Sequence, residues 1–316
     1  MYGLKTDWSK KDNDRYFTLD DYTSLKARWC PGCGDHAVLA ALQKLCRDEQ
    51  LPPEKIVCVS GIGCSSRFPH YMKTYGFHGL HGRALPVAEG VRSRRPDLHV
   101  FVATGDGDCC SIGAGHWIHA IRYNMNMTVM LFDNNVYGLT KAQTSPTSPK
   151  GMKTNTHPNG SLMDPIDPIQ TTLSVTNVSF VAQTVDWNPV HVYATLKAAH
   201  EHKGLSFVRI MQRCPHYTPG MWDGYIKDPM TVLMMKHDKG INADNPDRMF
   251  KNPIAHDPSD LDAARKLAAR RDILPIGLYY QDASVDCYDE HSAVGVGMPR
   301  ANRLEALRNE LDRYRI

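Results

Sequence analysis

Apolar and polar positions along the chain resolve into helical and extended stretches that follow one another in turn. Residues 36–46 carry apolar side chains at positions 37, 38, 41, 42, 45 and 46, one stripe of a 3.6-residue period, with Asp35 as the expected N-cap. Pro52-Pro53 breaks the chain, and residues 56–59 form a short β-branched strand ending at Ser60-Gly61. A loop rich in Gly, His and Arg leads to a helix over 84–94, and a strand over 98–103 ends at a glycine turn. A crossover helix over 112–124 precedes a strand over 128–132; a polar loop over about 140–172 shows little periodicity. A strand over 179–182, a helix over 189–202 and a strand over 206–211 complete the alternation.

That alternation predicts an α/β protein, a doubly wound, mostly parallel sheet with helices on both faces. In such sheets ligands gather beyond the carboxyl ends of the strands. Cys64, Asp106, Asn134 and Cys214 each lie just past a predicted strand end, so residues far apart in sequence are expected to meet at one edge. The expected division is a first domain over 1–215 and a C-terminal extension over 216–316 that packs on the core and on a partner. In the extension the pattern weakens to amphipathic pieces at 260–271 and 302–315 and one apolar run over 273–278.

Composition narrows the classes. A chain of 316 residues buries a substantial core, and 42% hydrophobic with 22% charged residues is ordinary for a soluble globular protein. A net charge of +3 is too small and dispersed to argue for nucleic acid. The first 16 residues are polar, resembling neither a secretory signal nor an anchor, and no apolar run nears the ~20 residues needed to span a bilayer. The expected location is the cytoplasm. There nine cysteines read as metal ligands or buried thiols more readily than as disulfides.

Cys30 and Cys33 form a C-x2-C within Cys30-Pro31-Gly32-Cys33-Gly34, while Cys64 and Cys214 stand alone and far apart. Four thiolates suit zinc or a [4Fe-4S] cluster, and a lone C-x2-C is equally compatible with a redox pair or with no role. Isolated third and fourth ligands fit a cluster embedded in an existing core better than a structural zinc, which favours two close pairs. A helix starting near Asp35 would aim its positive end at an anionic cluster. Cys46 and Cys58 read as core, Cys109 and Cys110 as packed under the acidic turn at 105–108 that precedes them, and Cys287 carries no pattern.

Gly105-Asp106-Gly107-Asp108 combines glycines that admit an anion with carboxylates that repel one. On its own this is an ordinary tight turn. Asn134-Asn135 at the end of the next strand changes that reading to a Mg²⁺ site. Asp106 would supply a carboxylate, Asn134 a side-chain carbonyl and Val136 a backbone carbonyl, all hard oxygens on a cation that bridges phosphates.

The acidic turn followed by Asn134-Asn135-Val136-Tyr137-Gly138-Leu139-Thr140 resembles the thiamine diphosphate motif. Together with Cys30-Pro31-Gly32-Cys33-Gly34 and Gly61-Ile62-Gly63-Cys64-Ser65-Ser66, it resembles the β subunit of the 2-oxoacid:ferredoxin oxidoreductases over about residues 25–220. The loop over 143–151 is closer to the 2-oxoglutarate branch than to the pyruvate branch. The resemblance implies a thiamine-diphosphate-binding fold, a proximal [4Fe-4S] cluster on Cys30, Cys33, Cys64 and Cys214, and Mg²⁺ on Asp106, Asn134 and the Val136 carbonyl. It places Ser65, Ser66, His81, Gly105, Gly107, Asp108, Tyr137, Gly138 and Leu139 around the cofactor. The implied reaction is oxidative decarboxylation of a 2-oxoacid with coenzyme A, giving acyl-CoA, carbon dioxide and two electrons for ferredoxin, and it is reversible toward carbon dioxide fixation. It also implies an α subunit supplying the missing carboxylate for the aminopyrimidine, in an α2β2 assembly. A dicarboxylate needs a second cation, and Arg67 and Lys141, with Leu139 and Thr140, are the expected substrate-side residues. The competing readings are a pyruvate or broad 2-oxoacid:ferredoxin oxidoreductase, a non-redox thiamine enzyme and a zinc-stabilised, non-catalytic interaction subunit.

Overall fold

The computed structural model describes residues 16–243, 250–292 and 300–315; the polar stretch over 1–15 lies outside them. Along the chain run α1 (Asp35–Asp48), β1 (Ile56–Ser60), α2 (Phe68–Tyr71), β2 (Tyr75–His78), α3 (Ala84–Arg94), β3 (His99–Gly105), α4 (Ala114–Tyr123) and β4 (Met127–Asp133). The hairpin β5 (Val136–Tyr137) and β6 (Gln143–Thr144) comes next, then α5 (Pro168–Ser174), β7 (Phe180–Val185), α6 (Pro189–Glu201) and β8 (Leu205–Met211). After these come α7 (Asp223–Lys227), β9 (Val232–Lys236), β10 (Asn252–Ala255), α8 (Leu261–Ala268), β11 (Leu274–Gln281), α9 (Tyr288–Ser292) and α10 (Arg300–Asp312).

Nine strands form one sheet in the order β10-β9-β11-β7-β8-β4-β3-β1-β2. All neighbours are parallel except β11 with β7. The period-2 alternation of side chains gives the sheet two apolar faces, each covered by helices. Val57, Val59, Val100, Val102, Val129 and Leu131 pack under Ala88 of α3 and Trp117 and Ile121 of α4. Ile56, Cys58, Phe101, Ala103, Met130 and Phe132 face Val38, Leu42 and Leu45 of α1 and Leu196 of α6. Each large side chain so buried contributes about 1.5–3 kcal/mol, so the central strands are held from both faces. Cys46, Cys58, Cys109 and Cys110 are buried in these two cores.

The structure departs from the sequence reading where the pattern was silent. Within the Gly/His/Arg-rich loop, β2 forms the edge of the sheet; its residues are exposed, so no apolar alternation announces it. The apolar run over 273–278 enters β11, in which Pro275 and Gly277 weaken the strand pattern and which is irregular at Leu278/Tyr280. Asp35 does not cap α1: it is the first helical residue, Gly34 occupies the cap, and the Asp35 side chain accepts none of the free amides. Residues 301–315 are exposed throughout. Among the described residues no helix is long and apolar enough to cross a membrane.

Candidate functional site

Strands β1, β3, β4 and β8 are adjacent and parallel, so their carboxyl ends share one edge of the sheet. Cys64 lies just past β1, Asp106 past β3, Asn134 past β4 and Cys214 past β8. The loop before α1 brings Cys30 and Cys33 to the same edge. It is tied there by Gly34 N–H to Arg213 O at 3.1 Å, Trp29 Nε1 to Cys64 O at 2.7 Å and Gln212 Nε2 to Cys33 Sγ at 3.2 Å.

Cys30, Cys33, Cys64 and Cys214 all line one cavity of about 290 Å³. Among the described residues no group of three or more His, Cys, Asp or Glu side chains is placed to hold a single ion. A tetrahedral zinc would draw thiolates to within about 3.8 Å of each other, given Zn–S bonds near 2.3 Å. Four cysteines lining one space are a donor set that a [4Fe-4S] cluster or a zinc ion would accept. Burial, then Asp35 and Cys214, pushes the Cys64 thiol up to about 12, and burial raises Cys33 further. Burial thus disfavours the thiolate form of Cys33 and Cys64, and iron would have to displace their protons.

A second cavity of about 330 Å³ is lined by Gly105, Asp106, Gly107, Asp108, Asn134, Val136, Tyr137, Gly138, Leu139 and Thr140 with Ser65 and His81. Cys64, Asn134, Gly138, Leu139 and Gln212 line both cavities, so the two adjoin. Asp106 is buried, and its Oδ2 accepts the hydroxyls of Ser145 at 2.5 Å and Thr147 at 2.6 Å. Burial and the charge of Asp133 push Asp106 up to about 7. A carboxylate so destabilised, beside a carbonyl-bearing asparagine, suits a hard cation that neutralises it. Asn134 Oδ1 accepts the Val136 amide at 3.2 Å.

Asp108 serves differently from Asp106. Its Oδ1 accepts the amides of Ile62 at 3.1 Å and Gly82 at 2.7 Å and lies 2.6 Å from His81 Nδ1, while Oδ2 accepts the Thr104 hydroxyl at 2.7 Å. It thus ties the β1 and β2 loops to the acidic turn and orients the His81 ring, which also meets the Tyr137 ring at 5.9 Å. A Cβ on Gly61 would overlap the Asp108 carboxylate and one on Gly107 would overlap the Tyr137 ring, so both approaches need glycine.

Three candidates lie outside the second cavity. Ser66 is buried beside the site and lines neither cavity. Arg67 lines the cysteine cavity, donating from Nε to Tyr71 Oη at 2.8 Å. Lys141 is exposed outside both cavities, with φ +71°. The sequence reading overlooked Ser145, Thr147, Asp133 and Gln212, because hydroxyls in a loop without periodicity carry no positional signal. It also missed Asp35, a buried carboxylate at this second cavity with neither oxygen hydrogen-bonded.

Comparison with known proteins identifies the family of the chain. Residues 61–210 match the thiamine pyrophosphate enzyme C-terminal TPP-binding domain. The 2-oxoglutarate oxidoreductase subunit KorB of Mycobacterium tuberculosis is 44% identical over 238 residues, 75% of this chain and 62% of that one. The 2-oxoacid:ferredoxin oxidoreductase subunit beta of Saccharolobus solfataricus is 36% identical over 300 residues, covering 93% of this chain and 88% of the relative. A solved structure of 2-oxoglutarate:ferredoxin oxidoreductase from Magnetococcus marinus, with 2-oxoglutarate, coenzyme A and succinyl-CoA bound, superposes with a TM-score of 0.78. It is 36% identical and covers 94% of this chain and 97% of its own.

Proposed function

Since the chain belongs to the β subunits of the 2-oxoacid:ferredoxin oxidoreductases, we propose that it is the cofactor- and cluster-bearing half of such an enzyme, acting on 2-oxoglutarate. The observation that carries this is the adjacency of a four-cysteine cavity and an acidic, glycine-walled cavity at one sheet edge. Thiamine diphosphate supplies the ring that makes loss of carbon dioxide from a 2-oxoacid feasible, and an iron–sulfur cluster takes up electrons singly. Cys30, Cys33, Cys64 and Cys214 would hold a [4Fe-4S] cluster, and Asp106, Asn134 and the Val136 carbonyl would hold Mg²⁺ against the diphosphate.

This chain's own residues orient and enclose. Ser145 and Thr147 both donate to Asp106 Oδ2 and so fix the carboxylate's rotation. Tyr137 donates to Gly107 O at 3.0 Å and walls the cofactor cavity with its ring. Asp108 holds His81 at the same cavity, where its imidazole can present a hydrogen bond to an anion. Leu139 and Gly138 line both cavities, a close approach that favours short electron transfer.

The proposal extends to an α subunit completing the site in an α2β2 assembly, coenzyme A as acyl acceptor and ferredoxin as electron acceptor. Residues 216–316 would be an extension packing on the core and the partner. A cytoplasmic location is consistent with nine free cysteines. Anaerobic co-expression with the α subunit tests the reading. Iron, magnesium and thiamine diphosphate should co-purify, and a viologen dye should be reduced with 2-oxoglutarate only when coenzyme A is present. Zinc without iron, or no dye reduction with any 2-oxoacid, would sink it.

A further inference from the structure

We propose that Gln212 sets how readily the four-cysteine centre accepts an electron, by donating a side-chain N–H to the sulfur of Cys33. The inference rests on the reading above, in which Cys30, Cys33, Cys64 and Cys214 hold a [4Fe-4S] cluster. Gln212 directly follows β8 and is 1% exposed. Its Nε2 lies 3.2 Å from Cys33 Sγ and 2.6 Å from the Arg213 carbonyl oxygen. An amide nitrogen carries two hydrogens, one for each of these acceptors. The Arg213 carbonyl also decides which way round the amide sits. Turned over, the Gln212 side-chain oxygen would face another acceptor oxygen at that distance. Among the described residues no other side-chain N–H reaches any of the four sulfurs.

The contact stands where electrons would have to pass. Gln212 lines the cysteine cavity and the glycine-walled cavity alike. An electron entering the cluster adds negative charge that its sulfur ligands share. Burial disfavours such charge on Cys33, and so does the nearby Asp35 carboxylate. The Gln212 N–H is aimed at the same sulfur and opposes both. A hydrogen bond to a cluster sulfur strengthens as the sulfur grows more negative, so it favours the reduced form and raises the potential. The amide shares its hydrogen without giving it up, so one electron enters and no proton moves.

The backbone around Gln212 is held independently of this side chain. The Gln212 N–H donates to Asp133 O at 2.9 Å, and the Gln212 carbonyl accepts Trp222 Nε1 at 2.9 Å. The Arg213 carbonyl also accepts the Gly34 N–H at 3.1 Å. Replacing the side chain therefore removes the N–H···S contact while the C-x2-C loop stays tied to the end of β8.

The test uses the anaerobic αβ holoenzyme and its Gln212→Met and Gln212→Glu variants. Iron is determined for each, and cluster reduction is followed by spectroelectrochemistry with electron paramagnetic resonance of the reduced form. Methionine keeps the length of the side chain without a donor, and an ionised glutamate keeps its shape with acceptors alone. Gln212→Met should shift the one-electron equilibrium about tenfold toward the oxidised cluster, a fall of about 59 mV, and Gln212→Glu at least as far. A merely structural role would lower iron content or melting temperature without moving the potential of the clusters that remain. Iron-replete variants with an unchanged potential would overturn the inference, as would loss of iron from both, and either result leaves the enzyme's function standing. An unsubstituted holoenzyme holding zinc in place of iron would overturn the functional reading and this one with it.

Discussion

Asp106 and Asp133 face each other across a single hydroxyl: Thr147 Oγ1 lies 2.6 Å from Asp106 Oδ2 and 2.9 Å from Asp133 Oδ1. One hydroxyl donates one hydrogen. Asp133 is already served by Arg209 Nε at 2.8 Å and by the Asn135 amide and side chain at 3.2 and 2.8 Å. The Thr147 hydrogen is therefore free for Asp106. The Arg209–Asp133 pair thus acts as a buried anchor behind the proposed metal ligand, and what remains unbalanced is the charge on Asp106.

That imbalance makes cation binding pH-dependent. Asp106 is raised from an ordinary 3.8 to about 7, so between those values the folded metal-free protein holds a proton that the unfolded chain has released. Its contribution to metal-free stability consequently falls as pH rises through this window and is flat above it. Magnesium needs the carboxylate, so its affinity in the presence of thiamine diphosphate should climb from pH 6 toward about 7 and then level off. Calorimetry in buffers of different ionisation enthalpy should detect proton release on binding. Asp106→Asn should abolish metal binding yet stabilise the metal-free protein at pH 8 by roughly 1–3 kcal/mol.

Removing one thiolate should remove the iron. Cys64→Ser and Cys214→Ser are expected to lose the broad absorbance near ~400 nm that reductant bleaches. The sheet is built from apolar faces independent of those sulfurs, so far-ultraviolet circular dichroism should stay unchanged. A variant retaining full iron would exclude that cysteine as a ligand.

Gly107→Ala should act through Tyr137. The added methyl overlaps that ring, and relieving the overlap costs about 1–3 kcal/mol and swings the ring out of the cofactor wall. Thiamine diphosphate affinity should fall at least tenfold, read by fluorescence or calorimetry, with the melting temperature lowered by a few degrees at most.

Arg92 and Asp289 form a buried pair that ties α9 to α3, with Arg92 Nε and Nη2 at 2.9 and 2.6 Å from Asp289 Oδ2. Arg92 Nη1 also donates to Pro96 O and Leu98 O at 2.9 and 2.8 Å. Asp289→Ala strands that guanidinium and should cost about 3–5 kcal/mol in chemical denaturation. Arg92→Leu/Asp289→Leu should recover most of the loss, because it leaves no unpaired buried charge.

The central strands and the helices α1, α3 and α6 were legible in the sequence because each is buried in a core that demands its own apolar period. So was the clustering of Cys64, Asp106, Asn134 and Cys214, since parallel neighbouring strands must present their carboxyl ends together. The edge strand β2 and the tail strands β9 and β10 were not legible. An exposed edge needs no alternation, and β9 is rich in methionine, which has no strong strand preference.

Sequence alone determined which residue types are available: four thiols, an acidic turn bounded by glycines, and an asparagine one strand later. Only the tertiary structure decided the division of labour between the two aspartates of that turn. Asp106, backed by Thr147 and Ser145, lines the glycine-walled cavity beside the charge of Asp133, whereas Asp108 is consumed by backbone amides and His81. Hydrogen-bond partners and the dielectric around a carboxylate come from segments up to 46 residues away in sequence. No local pattern encodes them, because they exist only once the loops have packed.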